Sequence, residues 1–191
     1  MIGRMALFKW TTVGVLVASF AALTHSSSNK WKQFRSSDAF SVEYPSSWFR
    51  FGSSGGRLNI LSSKRGAEGV VIAKGEAYIF VRQEPLSAAH SMAQVIDQYS
   101  QGAAPLSRAD VPAGQRGSCN QLQEVVWKEP PVAREDVPSR IRVTDFVYTG
   151  LFCRIGGRNI TVMLKNWQGD PRQAEYQRVA LRVAKSIRPI Q

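Results

Sequence analysis

The sequence predicts an α+β sandwich of antiparallel strands and two helices. Short runs rich in β-branched and aromatic residues recur along the chain, and turns rich in Gly, Pro and Ser separate them. Only two segments have the spacing of amphipathic helices, and they do not alternate with strands as in a parallel sheet. Two helices set among runs of strands are typical of an α+β sandwich.

Several segments have the pattern of β-strands, because apolar residues alternate with polar ones or β-branched and aromatic residues dominate. They are Phe40–Tyr44, Trp48–Phe51, Leu58–Leu61, Ala77–Arg82, and the neighbourhoods of Cys119–Lys128, Ile141–Arg154 and Asn159–Trp167. Gly156 and Gly157 predict a tight hairpin between the last two strands.

The first helix is expected to run from a cap at Ser87 to about Gln101, where Gly102 stops it. The residues at helical spacing on its buried side are Ala88, Met92, Val95 and Tyr99. Its opposite, polar side carries His90.

The second helix has the clearest start signal in the chain. Asp170 is the expected N-cap, Pro171 takes the first helical position and Gln173 the capping-box position. Its apolar stripe consists of Tyr176, Val179, Ala180, Val183 and Ile187. The stripe predicts that this helix packs on a face of the sheet.

The N-terminal segment has the pattern of an export signal. Arg4 and Lys9 precede an uncharged run, Trp10–Leu23, which resembles the n-region and h-region of a signal peptide. We therefore expect a signal peptide or uncleaved signal anchor over residues 1–25, a polar linker over 26–36 and a single domain over 37–191. An uncleaved segment would associate with a membrane through residues 10–23.

The charge balance is strongly basic. The chain has 25 Lys and Arg against 14 Asp and Glu, a net charge of +11, and residues 1–25 contribute only Arg4 and Lys9 to it, which leaves 11 − 2 = +9 on the rest. This balance favours contact with an anionic component of the cell envelope or with a protein partner of unknown identity. Export argues against nucleic acid, and the tryptophans lie in or beside predicted strands, where aromatic residues ordinarily pack.

The two cysteines, Cys119 and Cys153, have no metal-ligand spacing such as C-x-x-C. Both lie on predicted strands of a chain expected to be exported, so we expect a disulfide between them. The alternative is a pair of buried free thiols, because lone cysteines often pack as small apolar residues.

No catalytic motif is found, and no cofactor or metal is expected. Of the two histidines, His25 lies in the N-terminal tail and His90 shares the polar side of the first helix with Gln94 and Asp97, which is typical of a solvated face. The Ser- and Gly-rich residues 53–57 precede a strand, whereas phosphate loops precede a helix.

The acidic pairs Glu124/Glu129 and Glu135/Asp136 lack surroundings that would bury a carboxylate. We therefore expect an exported non-catalytic binding or accessory module. The alternative is a small extracytoplasmic hydrolase or lyase whose site is built from distant residues.

A basic stripe on the second helix is the candidate contact surface. Arg178, Arg182 and Lys185 recur at i, i+4 and i+7 opposite the apolar stripe, and Arg172 and Arg188 lie near the two ends. Together they are expected to attract an anionic partner. The alternative is a solvated helix face that is kept basic for solubility.

Two segments resemble the PsbP-like domain family. Residues 39–48, AFSVEYPSSW, are similar to its opening, in which a strand ends in Pro and a Trp begins the next strand, and residues 176–190 are similar to its closing helix. The resemblance covers about Phe34–Pro189. It implies an antiparallel sheet between helices (an α/β/α sandwich) without enzymatic activity, as in the lumenal photosystem II subunits and the exported bacterial relatives. It identifies no functional residue.

Overall fold

A computed structural model describes the chain over residues 31–37, 40–52, 56–63, 72, 74–84, 91–100, 102–128 and 146–190. The predicted signal segment, the Ser87 cap, His90, and the acidic residues Glu129, Glu135 and Asp136 lie outside these residues.

The strands and helices are numbered in the order in which they follow one another along the chain. In order they are β1 (Trp31–Arg35), β2 (Phe40–Pro45), β3 (Phe49–Arg50), β4 (Leu58–Leu61), β5 (Ala77–Gln83), α1 (Met92–Ser100), β6 (Ser107–Asp110), a 3-10 turn (Ala113–Gln115), β7 (Gln121–Lys128), β8 (Phe146–Ile155), β9 (Arg158–Trp167), α2 (Gln173–Lys185) and β10 (Arg188–Pro189).

All strand pairs of the described residues are antiparallel, and they form two sheets. The large sheet has seven strands in the order β3-β4-β5-β9-β8-β7-β6, and the small sheet has three in the order β1-β2-β10. The predicted hairpin joins β8 to β9, where Gly156 and Gly157 both adopt positive φ, +55° and +76°.

A helix lies on each face of the large sheet. On one face, α2 and the small sheet bury Tyr176, Ala180 and Val183 against inward-facing residues of β4, β5, β8 and β9. On the other face, α1 buries Met92 and Val95 against Trp127, Phe152 and Met163. The α+β class with an antiparallel sheet between helices is therefore confirmed.

The structure corrects several boundaries. Trp31–Arg35, which were assigned to the polar linker, form β1. Every residue of this strand pairs with a residue of β2. The first helix starts at Met92 rather than near Ser87: Gln94 N donates to Ser91 Oγ (3.3 Å), and Ser91 N donates to Gln94 Oε1 (2.7 Å). This reciprocal pair is a capping box.

The start of α2 is also later than predicted, at Gln173. Asp170 remains the residue that anchors this end, because its Oδ1 accepts from Arg172 N (2.8 Å) and its Oδ2 from Gly75 N (2.9 Å). The strands β6 and β10 have no counterpart in the sequence-based prediction, and β3 is shorter than the predicted Trp48–Phe51.

Candidate basic contact surface

The helix α2 is held rigidly on the sheet. Tyr176, Ala180 and Val183 have no exposed surface, and the ring of Trp48 meets that of Tyr176 edge-on at 6.0 Å between centroids. The Tyr176 hydroxyl also donates to Gly75 O (2.6 Å). At the other end, Glu43 N donates to Ser186 Oγ (2.9 Å), which attaches the helix to the small sheet. Side chains on the outer face of α2 therefore project from a fixed support.

The five predicted cations have different surroundings. Arg178 and Arg182 are exposed on the outer face of α2, and Lys185 is half-buried. Arg172 pairs instead with Glu175, at 3.1 Å from Nε to Oε2, and its hydrogen bond to this carboxylate raises its pKa. Arg188 is exposed, and its Nη1 donates to two backbone carbonyls, Lys185 O and Ile187 O.

Distance along α2 separates Arg172 from Arg182 and Lys185. Arg172 precedes them by 10 and 13 positions, which is about 15 and 20 Å at the rise of an α-helix. The Debye length is about 8 Å at physiological ionic strength. Screening therefore weakens the interaction of Arg172 with Arg182 and Lys185, and its own charge is already paired with Glu175.

The strand β1 extends the C-terminal cations into a broader surface. The guanidinium of Arg182 lies over the indole of Trp31, with Cζ 4.0 Å from the ring centroid. In the small sheet, Arg35 and Arg188 flank Ser41 from opposite sides, which places all three side chains on one face. We define the basic face as Arg35, Arg178, Arg182, Lys185 and Arg188.

Arg35 was missed by the sequence analysis because residues 26–36 were assigned to a linker. The signal that could have found it is the apolar pair Trp31 and Phe34, which stands out in an otherwise polar stretch. One acid, Glu43, is exposed on the same face of the small sheet as Arg35, two residues along β2 from Ser41.

The disulfide predicted between Cys119 and Cys153 is confirmed, with Cα atoms 5.4 Å apart. Cys153 lies in β8, but Cys119 lies two residues before β7 rather than in the strand. The next residue, Asn120, donates its backbone N–H to Arg154 O (2.7 Å). The bridge fixes the segment that precedes β7 to the core below α2, since both cysteines belong to that core.

The opposite face of the sheet holds a charged cluster that sequence reasoning did not find. Arg82, half-buried at the end of β5, hydrogen bonds through Nε and Nη2 to the buried carboxylate of Glu84, at 3.2 Å each. The Tyr99 hydroxyl of α1 donates to Glu84 Oε1 (2.7 Å). Burial raises the pKa of Tyr99 above its usual range, and the neighbouring charge of Glu84 is the second cause of this rise.

This cluster joins α1 to the sheet, and each polar group in it already has a partner. In the described parts of the chain, no group of three or more His, Cys, Asp or Glu side chains could hold a metal ion. Among the helices described, none is both long and apolar enough to span a membrane.

No family model matches the chain, and no curated protein matches it in sequence. The solved structures that are similar to it include three with 10–12% identity. The Ran-binding protein Mog1p of Saccharomyces cerevisiae has 10% identity, covers 83% of this chain and 95% of its own, and has a TM-score of 0.48. Cyanobacterial PsbP (CyanoP) of Synechocystis has 12% identity, 90% and 99% coverage, and a TM-score of 0.45.

The third is a protein of Bacteroides thetaiotaomicron with 11% identity and a TM-score of 0.46, which covers 80% of this chain. This chain spans only 45% of the length of that protein. None of the three likenesses carries information about function, because one fold serves many unrelated functions.

Proposed function

We propose that this protein is an exported, non-catalytic binding module of the cell envelope, and that its basic face engages an anionic surface or an acidic protein. The observation that carries the proposal is the placement of Arg178 and Arg182. Both are exposed on a helix whose other side packs on the core, so their side chains extend into solvent from a rigid support. A fixed cluster of like charges attracts an opposite charge more strongly than scattered ones do.

The disulfide supports the export part of the proposal. Disulfides persist in oxidising compartments and are rare where cytosolic reductants act. The bridge between Cys119 and Cys153 agrees with the basic n-region and uncharged run of residues 1–23, which have the pattern of an export signal.

The absence of a catalytic role is supported by how the buried polar groups are used. The buried carboxylate of Glu84 accepts hydrogen bonds from both Arg82 and Tyr99. Asp170 accepts two backbone hydrogen bonds that fix the start of α2. Neither carboxylate is left available to a substrate, which favours a binding role over hydrolysis.

We further propose that the chain is a member of the PsbP-like family. The two segments that carry the resemblance, around Trp48 and around Tyr176, pack directly on each other in the α2-side core. A short motif that a chain shares with a family is stronger evidence for membership when its residues contact each other in the fold.

Cell fractionation tests the export. The full chain with a C-terminal tag is expected in the extracytoplasmic or membrane fraction, with Cys119 and Cys153 protected from a thiol-reactive label until a reductant is added. A full-length, reduced protein in the cytoplasmic fraction would contradict the proposal.

Vesicle binding tests the basic face. We compare the full chain with a variant in which Arg178, Arg182 and Lys185 are all changed to Gln, on vesicles of phosphatidylcholine with and without phosphatidylglycerol. The variant should lose at least about tenfold in affinity for the anionic vesicles, because each cation near such a surface contributes about 1 kcal/mol. The wild-type affinity should fall as salt rises.

Two controls make this experiment specific. Changing Arg57, Lys128 and Arg154 to Gln removes the same charge from exposed positions outside the basic face and should leave binding nearly unchanged. Glu43→Gln removes the acid beside the basic face and should strengthen binding. Equal loss of affinity in both triple variants would show that net charge, rather than the basic face, governs the interaction. Equal binding by all variants at low salt would show that the basic face does not bind anionic membranes.

A further inference from the structure

Among the residues that the structure describes, β6 is an open edge of the large sheet. It is the last strand beside β7, and all four of its residues, Ser107–Asp110, are exposed. Leu106, immediately before it, is 58% exposed. An open edge presents unpaired backbone N–H and C=O groups and is a ready template for pairing with another strand.

The direction of the free backbone groups follows from the ladder between β6 and β7. Val111 N donates to Leu122 O (2.9 Å), and hydrogen-bonded positions alternate along an antiparallel pair. Ser107 and Ala109 therefore bond to β7, and the backbone groups of Arg108 and Asp110 point toward the open edge.

The two charged side chains of β6 are held in a row on the same face of the sheet. Arg108 Nη2 donates to Gln123 Oε1 (3.0 Å), and Gln123 Nε2 donates to Asp110 Oδ1 (2.9 Å). Gln123 of β7 thus sets the spacing between a positive and a negative group at the edge.

We propose that β6 pairs with β6 of a second copy of this chain, antiparallel and about a two-fold axis at Ala109. In this register, Arg108 lies opposite Asp110 of the second copy, and Asp110 lies opposite its Arg108. Both facing pairs use the backbone groups that point to the open edge, so each forms two backbone hydrogen bonds and one pair of opposite charges.

The charge pattern selects this register and this partner. The backbone groups at the open edge permit only shifts of the register by two residues. A shift by one residue would place edge-facing groups of one strand opposite groups of the other strand that point away. One shift by two residues places Arg108 opposite Arg108, and the other places Asp110 opposite Asp110; both bring like charges together. A segment of another protein would need the complementary charges by chance, whereas a second copy of this chain has them. Because the edge is only four residues long, the association is weak.

Cysteine cross-linking tests the register. In the proposed dimer the two Ala109 residues form a non-hydrogen-bonded pair with Cα atoms about 4.5 Å apart, which is within the disulfide range. The full chain with Ala109→Cys should form a covalent dimer under mild oxidation, because the native cysteines are already bridged. The matched variant Ser107→Cys should stay monomeric, since its two thiols would lie about 13 Å apart along the strands. A monomeric Ala109→Cys, or equal cross-linking of both variants, would overturn the proposal.

Charge reversal tests the pairing independently of any engineered thiol. Sedimentation velocity of the full chain in a mild detergent should show a reversible dimer that both Arg108→Asp and Asp110→Arg dissociate. An equimolar mixture of these two variants should associate again, because all facing charges are then opposite. Arg178→Asp, the same charge change on α2, should leave the dimer intact. A dimer that survives both single changes, or a mixture that stays monomeric, would rule out this interface.

Discussion

The carboxylate of Glu84 joins two elements that are not adjacent in sequence, since it accepts from Arg82 through two hydrogen bonds of 3.2 Å and from the Tyr99 hydroxyl at 2.7 Å. Its side chain is only 5% exposed, against 28% for Arg82. The guanidinium of Arg82 also lies over the ring of Tyr99, at 4.9 Å from Cζ to the centroid. The end of β5 and the end of α1 are therefore fixed together by one polar cluster.

Glu84→Gln should destabilise the protein by about 2–3 kcal/mol, because it leaves a half-buried guanidinium without a counter-charge. The matched change Glu175→Gln breaks a pair whose side chains are both about half exposed, 51% and 52%, and should cost at most about 1 kcal/mol. Urea unfolding monitored by circular dichroism measures both. Equal effects of the two changes would contradict the assigned role of Glu84.

The same cluster predicts a loss of stability in alkali. Burial and Glu84 raise the pKa of Tyr99 above the value of about 10 that is usual for tyrosine, so the folded protein holds this proton more tightly than the unfolded chain. The stabilisation is therefore complete below about pH 10 and is lost as the pH rises from there toward the folded-state pKa. Unfolding free energies measured at increasing pH should fall less steeply in Tyr99→Phe. If the unfolding free energy fell equally steeply with pH in both proteins, a group other than Tyr99 would be responsible for the loss.

The disulfide should contribute roughly 3–4 kcal/mol to the free energy of unfolding, because it joins residues that are 34 positions apart in sequence. A variant with Cys119→Ala and Cys153→Ala should unfold at correspondingly lower urea concentration. Addition of a reductant should lower the midpoint of the wild type toward that of the variant and leave the variant unchanged. An unchanged wild-type midpoint after full reduction would mean that the bridge does not stabilise the fold.

Gly117 approaches the backbone of α2 closely, in a turn where its φ is +64°. A Cβ at this position would collide with the carbonyl group of Lys185. Gly117→Ala should therefore cost more than about 2 kcal/mol, the sum of left-handed strain and a displaced helix end. Gly114→Ala is the control, because nothing lies within 4 Å of its Cβ and its φ is not positive. Thermal unfolding should separate the two, and a neutral Gly117→Ala would show that the turn can move away.

Local patterns sufficed for the interior strands and for the turn between β8 and β9. Leu58–Leu61 was predicted with the bounds that the structure has, because a short apolar run between turn residues is a local signal. The sequence predicted a helix cap at Ser87 because residues at helical spacing extend back to Ala88. The structure shows the helix starting at Met92, with Ser91 and Gln94 in reciprocal hydrogen bonds.

The sequence by itself determined the class of the fold, the core strands and the apolar side of α2, because alternation and helical spacing are properties of the chain alone. It favoured a disulfide between Cys119 and Cys153, which the structure then confirmed. The tertiary structure decided β1, β6 and β10, since their residues are mostly exposed and become strands only by pairing with β2 or β7. It also decided that Arg35 joins the cations of α2 and that Glu84 meets Tyr99. These contacts join residues far apart in sequence, and their formation depends on the burial and hydrogen bonding that the folded chain provides.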